Sequence, residues 1–277
     1  HRRFQAKLQK ALNEKTREVI IQKEEIEKKN KDITDSIRYA KRIQDAILPD
    51  LEKLKRIIPL SFVFFQPRDI VSGDFYWFEQ YGNKLIIVCA DATGHGVPGA
   101  FMSMIGSTLL KDITSRPDIL SPAETLDVLD REIKNLLRQN DDEIDHTHDT
   151  VDIIICEIDL DTFYMRMCST RRSMFISINN ELITFKKEKE NFDSQAYENR
   201  GIQLHKGDTL YMFTDGYPDQ FGGEKSKKIK ISNMKLMLEQ IQTLPMNQQA
   251  MVVDRYFNRW KEGHEQVDDV LFIGLKL

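Results

Sequence analysis

The chain has 277 residues, 40% of them hydrophobic and 30% charged, which suffices for one large domain or for a medium domain with an appendage. Its formal net charge at pH 7 is −4, and residues 61–277 hold 24 Lys and Arg against 34 Asp and Glu, a balance that argues against a nucleic-acid-binding surface. The longest apolar runs are far below the roughly 18 to 20 residues of a membrane span, and we expect no signal peptide.

Residues 1–48 predict one long helix. They contain no Pro or Gly and many Lys, Glu and Gln residues, and Pro49 follows them. Residues 1–60 hold 16 Lys and Arg against 10 Asp and Glu, the opposite balance to the rest of the chain. An apolar residue recurs at every seventh position, namely Leu12, Val19, Ile26, Ile33, Ala40 and Ile47. This spacing is typical of a coiled coil, so we expect residues 1–48 to form a homodimeric signalling helix.

The second set of heptad positions is less apolar. Its members are Leu8, Lys15, Gln22, Lys29, Ser36 and Ile43. Long polar side chains at the centre of the seam predict a marginal coiled coil that a signal can switch, and the alternative is an amphipathic surface helix of a monomer. Because the chain begins at His1 within this helix and without an initiator methionine, we expect a fragment from which an upstream sensor domain is absent.

After Pro59 the periodicity changes to that of strands. The predicted strands are 61–66, 74–80, 84–90, 152–158, 163–168, 173–178, 181–185, 209–214 and 269–276. Helical patterns lie between them, at 98–114, 121–139, 232–242 and 246–262. Several strands are joined by short turns, such as Asn179-Asn180. Hairpin-linked strands interrupted by pairs of helices predict an α+β sandwich of antiparallel sheets.

The three cysteines, Cys89, Cys156 and Cys168, lie within apolar strand-like runs. They show no paired spacing, which disfavours a disulfide framework or a thiolate zinc site. A reducing compartment fits this pattern. We therefore expect a cytoplasmic protein, or the cytoplasmic part of a membrane-anchored sensor.

Acidic residues stand at the ends of several predicted strands. Asp74 begins one strand of a hairpin and Asp91 ends the other, so both fall on the same edge; Asp215 and Asp268 flank other core strands. A single Asp-Gly pair is usually only a turn signal, but four carboxylates together are more specific. Like charges about 5 Å apart repel by roughly 3 kcal/mol, so such a cluster needs a counter-ion. Oxygen ligands without cysteine or an obvious histidine favour Mg²⁺ or Mn²⁺ over zinc.

The motifs that contain these aspartates resemble those of a known family. They are Ser72-Gly73-Asp74, Asp91-Ala92-Thr93-Gly94-His95-Gly96, Thr214-Asp215-Gly216 and Gln266-Val267-Asp268-Asp269-Val270. In order and spacing they resemble the motifs of the SpoIIE/RsbU-type branch of the PPM metal-dependent serine/threonine phosphatases. The resemblance covers residues 59–277 and implies a PPM-type α-β-β-α sandwich of two antiparallel sheets flanked by helices. Residues 36–49 resemble the linker that often precedes this domain in bacterial sensor proteins.

The resemblance implies a site for two Mn²⁺ or Mg²⁺ ions. Asp91 would bridge the ions, Asp74 and the backbone carbonyl of Ala92 would bind one of them, and Asp215 and Asp268 would bind the other. A water held between the ions would attack the phosphorus of phosphoserine or phosphothreonine without a covalent phosphoenzyme. The four aspartates are therefore the predicted catalytic residues.

The chain departs from the family pattern at three positions. Ala92 stands where glycine is common, which is tolerable because only its carbonyl is needed, provided that its φ is negative. Residues 168–174 replace an Ala-Gly segment that leads into a proline. His95 lies deeper in its motif than the histidine of eukaryotic relatives, so we assign it no general-acid role. We expect it either to support the metal ligands from behind or to have a packing role. The family pattern favours Asp268 as the metal ligand, and its neighbour Asp269 is the alternative.

Other clusters give weaker signals. His146 and His148 suggest zinc, but no third distant ligand is identifiable, and a solvated loop is the better interpretation. Arg171-Arg172 either steers a phosphorylated substrate or forms a surface pair. The lysines at 225–230 indicate an exposed loop, with substrate docking as the alternative.

The sequence thus suggests a bacterial signalling phosphatase that acts on phosphoserine or phosphothreonine in a protein, with a dimeric helix that conveys an upstream signal. By resemblance, the substrate is a small STAS-type anti-anti-sigma protein. The rival hypothesis is a catalytically silent dimeric relay that keeps the phosphatase fold. A dimer like that of histidine kinases is disfavoured, because the only histidine of the long helix is His1.

Overall fold

The computed structural model describes residues 2–116, 121–137, 150–185 and 197–277. The described residues belong to two compact units, one that ends at Ile43 and one that begins at Gln44. Within these ranges, no helix has the length and hydropathy that a membrane crossing requires. The predicted loop around His146 and His148, and the end of the predicted helix 121–139, lie outside the described residues.

The first unit consists of helix α1 (Arg2–Ile47) as far as Ile43. Its exposed face carries charge pairs one turn apart, such as Lys29 with Glu25, which add a few tenths of a kcal/mol each. The seam residues Leu12, Val19, Ile26 and Ile33 are each between 57% and 60% exposed. The long helix that the sequence predicts is therefore present, and within its own unit its apolar stripe is open to solvent.

A short helix, α2 (Leu51–Ile57), follows α1. Pro49 separates the two helices, and Asp50 caps the second one by accepting a hydrogen bond from the backbone N–H of Glu52. Leu54 of α2 is 1% exposed and packs into the core. The sequence patterns did not predict this helix.

Two five-stranded antiparallel sheets form the centre of the second unit. The first sheet contains, in spatial order, β1 (Ser61–Gln66), β12 (Val270–Lys276), β9 (Thr209–Phe213), β6 (Met174–Ile178) and β7 (Glu181–Phe185). The second sheet contains β2 (Asp74–Tyr81), β3 (Lys84–Ala92), β4 (Val151–Asp159), β5 (Tyr164–Ser169) and β8 (Arg200–Gln203). A small ribbon pairs β10 (Phe221–Gly222) with β11 (Lys227–Lys228).

Helices cover the outer faces of both sheets. They are α3 (Gly96–Thr114), α4 (Pro122–Leu136), α5 (Gly216–Asp219), α6 (Ile231–Ile241) and α7 (Met246–Trp260). Leu110 and Leu126 of α3 and α4 pack against the second sheet, and Leu238 and Phe257 of α6 and α7 pack against the first.

A third cluster fills the space between the sheets. It includes Ile87, Cys89, Ile154, Met212 and Ile273, each at most 2% exposed. The arrangement is an α-β-β-α sandwich, as the sequence predicts. The three cysteines are free and buried within it.

Candidate active site

A row of three aspartates crosses the second sheet at one edge. Asp74 on β2 lies opposite Asp91 on β3, and Asp91 lies opposite Asp152 on β4. Residues directly opposite each other on antiparallel strands have Cα atoms about 4.5–5.5 Å apart and point to the same face. The predicted hairpin already placed Asp74 beside Asp91. Asp152 was missed, although its place at the start of a predicted strand was a usable signal.

The first sheet brings further aspartates to the same region. β9 and β12 are neighbours, and where β9 ends the Thr214 N–H donates to the Leu271 carbonyl at 3.0 Å. Asp215 and Asp268 flank this point. The Thr214 hydroxyl donates to Oδ2 of Asp74 at 2.6 Å, which links the ends of the two sheets. The structure thus brings together the strand ends that carry all four predicted aspartates.

Asp269 has a different role from its neighbour Asp268. Its two carboxylate oxygens accept hydrogen bonds from the backbone N–H groups of Arg68 and Gly73, both at 2.7 Å, and it is 2% exposed. It therefore holds the loop that leads into Asp74. Within the described ranges, the Asp268 carboxylate accepts a single hydrogen bond, from the backbone N–H of Asp269 to Oδ1, which leaves it the better candidate ligand of the two.

Glycines permit the backbone around Asp74 and Asp91 to approach closely. A Cβ on Gly99 would lie 2.1 Å from the Gly94 carbonyl oxygen, and one on Gly73 would lie 2.6 Å from the same atom. Gly94 also has φ of +90°, which side-chain-bearing residues rarely adopt. Ala92 ends β3 without a positive φ, so the alanine is compatible with the turn.

His95 lies at the rim of this region. Its side chain is 54% exposed, and Nδ1 is 3.3 Å from Oδ2 of Asp69. This exposure does not fit the packing alternative for His95. Burial raises the pKa of Asp268, and His95 is one of the weaker influences that oppose this shift.

Gln44, in the last turn of α1, holds the Ser72-Gly73-Asp74 segment. It is 1% exposed; its amide donates to the Ser72 carbonyl at 2.6 Å and to the Ser103 hydroxyl at 2.8 Å, and its carbonyl accepts from the Ser72 N–H. The sequence patterns did not predict a role for Gln44. The available signal was a polar residue on the apolar stripe, four residues after Ala40 and four before Leu48.

Arg172 lies among the carboxylates of both sheets. Its Nη2 is 2.5 Å from Oδ2 of Asp91 and 3.5 Å from Oδ2 of Asp152, and its Nη1 is 2.9 Å from Oδ2 of Asp215. Burial alone would lower the pKa of Arg172, but the carboxylates of Asp215 and Asp91 outweigh burial and raise it. From the sequence, Arg172 was expected either to steer a phosphorylated substrate or to lie in a surface pair with Arg171. In the structure its side chain is only 19% exposed.

The carboxylates carry more negative charge than Arg172 offsets. Burial and the charge of Asp91 raise the pKa of Asp74 well above its usual value. Burial, with the charges of Asp215 and Asp268, raises the pKa of Asp91 to about 7 despite the opposing effect of Arg172. Burial also raises the pKa of Asp268. Additional positive charge in this region would relieve these shifts.

The donor set suits hard divalent cations. Carboxylate and carbonyl oxygens crowded with negative charge are the ligands that Mg²⁺ and Mn²⁺ prefer. Among the described residues, however, no three Asp, Glu, His or Cys side chains are already arranged to hold an ion. Asp91 and Asp215 each direct an oxygen at Arg172, so an ion between them requires that these side chains turn.

The comparisons with known proteins identify the class of this domain. The family model of Stage II sporulation protein E (SpoIIE) matches residues 81–277. This match covers more than half of the chain, which therefore belongs to the SpoIIE family. None of the curated proteins that were compared matches the sequence.

Solved structures of phosphatase domains share the fold. The SiaA-PP2C domain of Pseudomonas aeruginosa is 27% identical, with a TM-score of 0.80 over 90% of this chain and 98% of that chain. The PP2C domain of SpoIIE from Bacillus subtilis, with a fragment of its regulatory domain, is 19% identical, with a TM-score of 0.63 over 78% of this chain and 62% of that chain. RsbX in complex with magnesium is 14% identical, with a TM-score of 0.54 over 78% of this chain and 94% of that chain. The chain thus carries a phosphatase domain of the PP2C type.

The raised pKa values predict that stability in EDTA falls as pH rises. Asp74 holds a proton in the folded protein that the unfolded chain releases above about pH 4. Asp74 therefore contributes fully to the free energy of unfolding below its pKa in the unfolded chain. This contribution falls by about 1.4 kcal/mol per pH unit as the pH rises toward its pKa in the folded protein. Asp74→Asn keeps an acceptor for Thr214 but has no proton to release. Its free energy of unfolding should therefore decline less steeply as the pH rises above about 4, the pKa of an unfolded aspartate.

Urea denaturation at a series of pH values measures this slope. Asp127→Asn, on an exposed position of α4, is the matched control and should follow the wild type. Equal slopes for Asp74→Asn and the wild type would contradict the assigned environment of Asp74.

Proposed function

We propose that this phosphatase hydrolyses phosphoserine or phosphothreonine on a bacterial regulatory protein, with two Mn²⁺ or Mg²⁺ ions as cofactors. Asp74, Asp91, Asp215, Asp268 and the Ala92 carbonyl would hold the ions, as the family resemblance implies. The observation that carries this proposal is the crowding of carboxylates from two sheets at one edge, with raised pKa values for Asp74 and Asp91. The magnesium complex of RsbX, which shares the fold, is consistent with the choice of ion.

The protein's own residues would fix the geometry of the reaction. When bound, the ions would neutralise the phosphate charge and increase the acidity of the attacking water. The Thr214 hydroxyl orients Asp74, and the Asp269 carboxylate holds the Gly73 N–H beside it. These contacts keep the Asp74 carboxylate opposite that of Asp91 against their mutual repulsion.

The substrate proposal is a STAS-type anti-anti-sigma protein. It is supported by the resemblance to the SpoIIE/RsbU branch and by membership of the SpoIIE family. The acidic balance of residues 61–277 favours a protein partner over nucleic acid.

Substitution of predicted ligands should abolish metal-dependent hydrolysis. Asp91→Asn and Asp215→Asn each remove a charged ligand, and we expect the hydrolysis rate of a phosphoserine peptide to fall by about 100-fold or more, because the ions supply several kcal/mol of transition-state stabilisation. Asp127→Asn should retain the wild-type rate. The measurement is phosphate release against Mn²⁺ concentration.

Two results would contradict this proposal in different ways. Wild-type rates in Asp91→Asn and Asp215→Asn would exclude these residues as ligands. A wild-type protein that hydrolyses nothing and takes up no Mn²⁺ in a calorimetric titration would favour the silent dimeric relay instead.

We also propose that residues 1–48 form a homodimer that conveys a signal to the site. The heptad seam supports the dimer, because Leu12, Val19 and Ile26 expose more than half of their side chains within their own unit. The Gln44 contacts support the link to the site. Gln44 is in the last turn of α1 and holds the backbone of Ser72, two residues before Asp74.

A charge in the seam should weaken the dimer. Ile26→Asp places a carboxylate where two helices would pack, and we expect the dimer dissociation constant to rise at least about tenfold. Asn13→Asp adds the same charge at a non-seam position and should leave the constant unchanged. Sedimentation velocity over a concentration series measures both. A wild-type chain that stays monomeric throughout, or a seam variant that dimerises normally, would exclude this interface.

A further inference from the structure

Arg172 makes three ion pairs with aspartates of two different sheets. Asp91 and Asp152 come from neighbouring strands of the second sheet, and Asp215 follows β9 of the first. The resemblance to the phosphatase family assigns metal-binding roles to Asp91 and Asp215 but none to Arg172. The guanidinium therefore occupies oxygens that two proposed ligands would offer to an ion.

The position of Arg172 is set by its backbone. The residue lies in the crossover from β5 to β6, and the Ser169 hydroxyl donates to its carbonyl oxygen at 2.9 Å. This crossover runs from one sheet to the other beside the acidic edge. Arg171, one residue earlier, is exposed, and among the described residues the ion pairs to Asp91, Asp152 and Asp215 come from Arg172. The two arginines are thus equal in charge but different in environment.

A guanidinium and a divalent ion compete for the same carboxylates. Arg172 is paired with the Oδ2 atoms of Asp91 and Asp215, and an ion would bind the same two carboxylates. Because both cations are positively charged, close occupancy by the two is repulsive. The Nε of Arg172 has no hydrogen-bond partner within the described part of the chain, so the side chain is held by its two terminal nitrogens alone. Release of these contacts therefore leaves the guanidinium without a hydrogen bond or ion pair to the described residues.

The geometry points to Arg172 as a built-in counter-ion that lowers the affinity of the site for divalent cations. Entry of an ion exchanges the contacts of Asp91 and Asp215 with the guanidinium for contacts with the ion. Asp152 stays available as a partner for the displaced arginine. The two effects are reciprocal. If Arg172 weakens ion binding by a given factor, the bound ion weakens the contacts of Arg172 by the same factor. This inference rests on the proposed metal-dependent function.

Calorimetric titration of Mn²⁺ into EDTA-treated and dialysed protein tests the exchange. Arg172→Gln should bind Mn²⁺ at least about tenfold more tightly than the wild type, within the usual range of coupling between two sites. Arg171→Gln makes the same change in net charge without touching the aspartates, and its affinity should stay within about twofold of the wild type. Arg172→Lys keeps the charge but has a single donor group, and should bind more tightly than the wild type and less tightly than Arg172→Gln.

Thermal unfolding gives a second measurement that does not depend on catalysis. In EDTA, Arg172→Gln should melt at a lower temperature than the wild type, because the carboxylates lose their counter-charge; with saturating Mn²⁺ the difference should vanish or reverse. If Arg172→Gln does not fold, Arg172→Lys carries the same test. Unchanged or weaker Mn²⁺ binding in the variants would overturn the inference while leaving the phosphatase proposal intact. A wild-type protein that takes up no Mn²⁺ would overturn both.

Discussion

Repulsion between carboxylates is the constraint on which this arrangement depends. Strand pairing fixes Asp74, Asp91 and Asp152 opposite one another, and Asp215 and Asp268 approach from the other sheet. At about 5 Å, each pair of ionised groups repels by roughly 3 kcal/mol at an effective dielectric near 20. A site of this kind is stable only with protons, an arginine or metal ions among the carboxylates. The raised pKa of Asp91, to about 7, and the ion pairs of Arg172 are two such responses.

The rest of the domain supplies the rigidity that keeps these charges in place. Large side chains such as Phe75 and Phe272 are fully buried on the outer faces of the sheets, and each contributes about 1.5–3 kcal/mol through burial. A few such residues offset the repulsion of a carboxylate pair. Specific hydrogen bonds then set the geometry: the Thr214 hydroxyl joins the two sheets at Asp74, and Gln44 fixes the backbone of Ser72.

Local patterns predicted most of the fold but only part of the site. The limits of β1 and β7 follow from short apolar runs between turn residues, and the hairpin of β2 and β3 placed Asp74 beside Asp91. Asp152 was not predicted as a site residue, because the pairing of β3 with β4 joins segments that are distant in sequence. The local sequence does not show which arginine of a crossover loop turns inward, so the role of Arg172 was not predicted either. The sequence patterns also did not predict β8 and α2, because both are short and have weak hydrophobic periodicity.

The most direct test of the central claim is a crystal structure of the protein grown with Mn²⁺, with diffraction data collected at the manganese absorption edge. The account predicts two anomalous peaks at about 2.0–2.2 Å from carboxylate oxygens of Asp74, Asp91, Asp215 and Asp268, with the Arg172 guanidinium withdrawn from Asp91 and Asp215. Absence of anomalous density among these aspartates at saturating Mn²⁺, with Arg172 still paired to both, would contradict it.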